Sequence, residues 1–145
     1  MFRVFNIFCF RKVNLMKAVL EQLNSRLDET EVSDYFLYEL KDERLVILGS
    51  HDLSYYHDVE IVFEEVRYIC CPTRLDSPRF RPADEAERLI ALEKAGKCAD
   101  PNGDIHVISI DEDGSREGQH FIIASDVSFR FKKVLHYVND DVMGE

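Results

Sequence analysis

The residue pattern predicts an α+β fold, with two helices packed on an antiparallel sheet of six to eight strands. Three observations carry this. Met16, Val19, Leu20, Leu23 and Leu27 recur every three or four residues, one stripe of a helix. From His57 to Phe63 apolar and polar residues alternate, the period of a half-buried strand. And Asp58-Val-Glu-Ile-Val-Phe-Glu-Glu-Val66 resembles Asp126-Val-Ser-Phe-Arg-Phe-Lys-Lys-Val134 at an offset of 68 residues, which divides the chain into two similar α-β-β-β(β) halves, 16–82 and 83–145.

The first helix runs from Met16 to Leu27, and the Asp28-Glu-Thr-Glu31 run ends it. Asp34 to Leu40 is rich in aromatic residues and reads as a strand. Lys41 to Arg44 is a charged turn, so Leu45 to Gly49 pairs back antiparallel. After His57 to Phe63 the chain is expected to reverse at Glu64-Glu65, the alternative being a single long strand with a bulge. Phe63 would then face Val66, Ile61 would face Tyr68 and Val59 would face Cys70. In this alternation His57 shares the face of Val59, and Asp58 the opposite one.

Pro72 to Pro82 holds three prolines and reads as a loop. Ala83 to Ala95 is the second helix, with Ala86, Leu89, Ile90 and Glu93 at helical spacing, acids near its start and Gly96 as its stop. Ile105 to Ile110 is apolar on both faces and is expected at the centre of a sheet. Asp111 to Gly118 is an exposed turn, and two further strands follow it.

The domain is expected to span residues 16–145, with 1–15 as an upstream extension that leaves Met16 as the natural start, as an extra strand, or as an aromatic-basic segment that touches a membrane or a partner. Residues 1–17 carry Arg3, Arg11, Lys12 and Lys17 and no acid. The rest has 14 basic and 28 acidic side chains, for a net charge of -10 over 145 residues. Such a balance argues against nucleic acid, whose phosphates need clustered basic charge. No 18-residue apolar run is present, so no transmembrane helix is expected, and no membrane is expected as the domain's partner. Without a secretory pattern the protein is expected in the cytoplasm, with Cys9, Cys70, Cys71 and Cys98 reduced.

No catalytic motif appears, and no enzyme activity, cofactor or metal is expected. His51-Asp52 and His57-Asp58 would send each His and Asp to opposite faces of a strand. The two imidazoles would lie roughly 20 Å apart, too far to share a metal. Asp100 to Asp104 and Asp111 to Gly114 lack calcium-loop spacing and read as turns. A nucleophilic Cys71 would need His57 or His136 as its base, and no spacing selects either.

The function expected is that of a small acidic protein-binding module, most concretely a toxin-neutralising immunity-type protein. Many toxins that act on nucleic acid are basic, and opposite charge speeds association. The partner-contact residues expected are the acidic clusters Asp111, Glu112, Asp113 and Asp140, Asp141, together with Arg79, Phe80 and Arg81 from the basic proline loop. The element order is also similar to that of small acidic secretion chaperones, without their leucine-rich patterns. That resemblance implies an effector-binding role. The third reading is an enzyme or small-ligand domain with a pocket between helix and sheet.

Overall fold

Val59, Ile61 and Phe63 do share one fully buried face, and the structure builds two sheets around that face. The computed structural model describes residues 2–52, 56–98, 105–112 and 115–135. Helix α1 is Phe2–Glu29, followed by strands β1 Asp34–Lys41, β2 Arg44–Ser50, β3 Tyr56–Glu64, β4 Tyr68–Cys70, β5 Arg74–Asp76 and β6 Arg79–Pro82. Helix α2 is Glu85–Ala95, followed by β7 His106–Glu112, β8 Ser115–Ala124 and β9 Asp126–Leu135.

The α+β class holds, but the described strands form two antiparallel sheets instead of one. Five strands run β5-β1-β2-β3-β9 and four run β4-β8-β7-β6. The reason lies at Glu64-Glu65. β3 and β4 make no hairpin there. Glu65 takes a positive φ of 50°, and the chain turns out of the five-stranded sheet into the other one. Backbone bonds pin this corner. Val66 N–H donates to Glu43 O at 2.8 Å and Arg67 N–H to Ile123 O at 2.8 Å. The return corner at Ser125 is tied to the same place, with Ser125 N–H donating to Glu64 O at 3.0 Å.

The β1–β2 hairpin is as expected, with Lys41 opposite Arg44. Its two loop residues, Asp42 and Glu43, both have positive φ, the geometry of a tight type I′ turn made without glycine. β7 is the expected central strand, buried on both faces. The proline segment differs from expectation, because it contains β5 and β6. Both are short edge strands, where proline's missing N–H removes no ladder bond.

The main core lies between the sheets. Leu45, Ile47, Val59, Ile61 and Phe63 face Phe80, Ile108, Ile110 and Ile122. Helix α1 packs on β6 and β9, one edge of each sheet, and adds Met16, Leu20 and Leu23 to this core. Its helical span reaches back to Phe2, so residues 2–15 form no extra strand. Phe2, Phe5 and Phe8 already carry the three-residue spacing of a helix. Asn24 completes the β6 edge. Its side-chain amide donates to Phe80 O at 2.6 Å and accepts from Phe80 N–H at 3.0 Å, replacing a neighbouring strand.

Helix α2 covers the far side of the four-stranded sheet, where Ala91 and Ala95 pack with Val107, Phe121 and Ile123. An Asp84/Glu87 capping box starts it and Gly96, at φ 55°, ends it. Its buried face is not the expected one, since Leu89 and Ile90 are 62% and 52% exposed. Small alanines allow the close approach, and the larger residues are left outside.

The two similar segments lie side by side as β3 and β9, with Ile61 opposite its equivalent Phe129. Beyond them the halves diverge. β1-β2-β3 is a meander within one sheet, whereas β7-β8 and β9 belong to different sheets. Glu64 faces Asp126, at the end of the ladder away from Lys132-Lys133.

Tyr35 shows a cost accepted inside the core. Its ring fills the space over Gly49, where an added Cβ would stand 2.2 Å from a ring carbon. The hydroxyl is buried with no hydrogen-bond partner. Burial, and then the charge of Asp58, push its pKa well above the ordinary phenol value. Tyr35→Phe should therefore stabilise the protein by about 1 kcal/mol, removing an unpaired polar group while keeping the ring. A melting temperature a few degrees higher is expected; a lower one would mean the hydroxyl has a partner.

Among the described residues no helix is long and apolar enough to cross a membrane.

Candidate partner-binding face

The expected contact residues do not gather on one surface. Asp111 is in strand β7, not in an exposed turn, and is only 9% exposed. It accepts from Arg81 Nε at 2.7 Å and Nη2 at 3.2 Å. Arg81 also grips Glu87 of α2 with two bonds, at 2.6 and 2.7 Å. The Glu87 and Asp111 carboxylates together raise the Arg81 pKa further above its already high value, against a smaller opposing effect of burial. Phe80 is fully buried against Phe63, leaving it no surface to offer. Arg79 is exposed and pairs with Asp28. Glu112 is half-buried, 3.4 Å from His120 Nδ1. Asp113, Asp140 and Asp141 lie outside the described residues.

Cys71 is poorly suited to nucleophilic work. Burial, with the neighbouring Cys70 and Glu112, pushes its thiol up to about 11, so the thiolate is scarce at neutral pH. His136 lies outside the described residues. No three His, Cys, Asp or Glu side chains among the described residues come close enough to hold a metal ion.

A surface that the sequence reading missed is more coherent. The outer face of the five-stranded sheet is not where either helix packs, because α1 meets β6 and β9 while α2 meets β7 and β8. Strand register sets its composition. One row reads Arg74, Phe36, Leu48, Glu60 and Arg130 across five strands. The next reads Glu39, Val46, Val62 and Ser128. Leu48 and Val62 are buried yet belong to neither core cluster, as residues of this outer side should. Tyr38, at a register shift in β1, is 58% exposed and meets Phe36 edge-on at 6.0 Å.

The face is apolar and aromatic at its centre and charged at its ends. Asp34 lies opposite Asp76, and Glu64 opposite Asp126. Like charges placed directly across a ladder are unfavourable by themselves. Arg44 offsets one of them through a 3.0 Å bond to Glu64.

His57 belongs to this face as well. The register shift between His57 and Val59 breaks the expected alternation. It lets His57 Nε2 reach Glu60 Oε1 at 2.8 Å, although residues three apart in a regular strand point to opposite sides. Arg130 donates to the same carboxylate at 2.5 and 2.9 Å. The Arg130 bonds, opposed by burial and aided by His57, hold Glu60 below the usual carboxylate range. An ionised Glu60 only accepts, so His57 Nε2 carries the hydrogen. The stabilisation from this pairing is fully present above the ordinary glutamate pKa. It is lost as pH falls through the depressed one.

The sequence signal for this face was the even-numbered set Glu60, Val62 and Glu64, with Phe36 and Leu48 on neighbouring strands. Only the strand order shows that these lie side by side. Compared with known proteins, the chain matches no family model, no curated protein and no solved structure.

Proposed function

We propose that this chain is a small protein-binding module that docks a basic protein partner on the outer face of its five-stranded sheet, most concretely as a toxin-neutralising immunity-type protein. The observation that carries the reading is the outer sheet face, on which neither helix packs among the described residues, with Phe36, Tyr38 and Val46 on it and like-charged acids at both ends. An aromatic centre with a charged rim is the usual build of an interface. Acid placed against acid costs the free chain stability, and a basic partner would relieve that cost. The net charge of -10 would also steer such a partner's approach.

The test is binding of a basic partner purified with the full chain from its native host. Tyr38→Ala should weaken it by at least about tenfold, the effect of losing an aromatic anchor. Asp34→Lys with Asp76→Lys should slow association at low salt and change dissociation little. Glu21→Lys with Glu93→Lys, the same charge change on the two helices, should leave dissociation near wild type and slow association less than the Asp34 and Asp76 changes do. Unchanged affinity in the Tyr38 and Asp34/Asp76 variants would refute this docking face.

A further inference from the structure

Lys132 and Lys133 are consecutive in β9, and a regular strand would send them to opposite faces. Here the pairs His57–Val134 and Val59–Phe131 enclose two residues on β9 but only Asp58 on β3. The extra residue makes a β-bulge, a device that re-aims side chains. As a result both lysines line one cleft of about 320 Å3, with Thr30, His51, Tyr56 and Asp58. Lys133 Nζ sits 4.2 Å above the Tyr56 ring.

The charges in this cleft are unusual for the molecule. Acids outnumber bases 28 to 18 overall. Arg26, Arg44, Arg67, Arg79, Arg81 and Arg130 all have carboxylate partners. Among the described residues neither Lys132 nor Lys133 forms an ion pair, and neither does Asp58. Two ammonium-bearing side chains lining one cleft present several N–H donors to one anion. Ionised Asp58 is acceptor-only and negative, so it repels a second anionic group and selects a hydroxyl. The volume is at the small end of ligand pockets.

We propose that this cleft binds a hydroxyl-bearing phosphate monoester of the sugar-phosphate class, its phosphate on Lys132 and Lys133 and a hydroxyl donating to Asp58. This site is separate from the docking face and does not depend on it. The experiment is calorimetric titration of the full chain, at low ionic strength, with glucose 6-phosphate, inorganic phosphate and glucose as probes. Glucose 6-phosphate should bind about tenfold more tightly than inorganic phosphate, and glucose should not bind measurably. Lys132→Gln with Lys133→Gln should weaken glucose 6-phosphate by at least about tenfold. Lys94→Gln with Lys97→Gln, an equal charge change elsewhere, should not. Asp58→Ala should narrow the gap between the ester and phosphate, since it removes both the acceptor and the repulsion. The proposal is overturned if wild type binds the ester no better than phosphate, a comparison that needs no variant. Equal losses in the two lysine pairs would overturn it too, by showing general charge attraction alone.

Discussion

Phe80→Ala is expected to destabilise the protein by about 4 kcal/mol, within the range for removing a buried aromatic ring. Phe80 is fully buried, its ring centroid 5.9 Å from that of Phe63 and its backbone held at both polar groups by Asn24 of α1. The cavity would open where α1, β6 and the core between the sheets meet. Arg79→Ala, one residue away, should change stability by about 0.5 kcal/mol or less, because its partner Asp28 is exposed. Urea unfolding of both variants checks this. A loss under about 1 kcal/mol for Phe80→Ala would place that ring at the surface.

Asp111→Ala should cost about 3 kcal/mol, the low end for breaking a buried ion pair. Arg81 would keep its two bonds to Glu87, so the guanidinium is not left wholly unpaired. The effect should still exceed that of Glu112→Ala, whose half-exposed carboxylate sits 3.4 Å from a histidine. Near-neutral behaviour of Asp111→Ala would restore the exposed-turn reading of that position.

Asp111 and Phe80 show where one-dimensional reading stops. The acid run from Asp111 to Asp113 has the composition of a turn, yet β7 extends through Glu112 because Arg79 and Arg81 of β6 stand beside it. Arg79-Phe80-Arg81 looked like a presented motif, with Phe80 between two cations. In the fold its alternation is that of an edge strand, ring inward and guanidiniums outward. Helix α2 was legible from the acids near its start and from Gly96, because the chemistry of helix ends is local. Its buried face was not, since a close-packed interface selects Ala91 and Ala95 over the bulkier Leu89 and Ile90.

The face of Val59, Ile61 and Phe63 was legible from period two alone. Strand partnership was not. The corner at Glu65 needs a left-handed backbone that a glutamate does not advertise. For the same reason the outer face, built from β1, β2, β3, β5 and β9, could not be assembled from the sequence. The bulge that turns His57 toward Glu60 is equally silent.

The central claim, that a basic partner docks on the outer face of the five-stranded sheet, is tested most directly by site-specific photocrosslinking in the native host. A photoreactive residue is placed in the full chain at Tyr38 on that face, and separately at Leu89 on the exposed side of α2. The account predicts one basic protein crosslinked from Tyr38 and not from Leu89, and crosslinked less when Asp34→Lys and Asp76→Lys are added. A crosslink to a basic protein from Leu89 with none from Tyr38, or a Tyr38 crosslink indifferent to those acids, would contradict it.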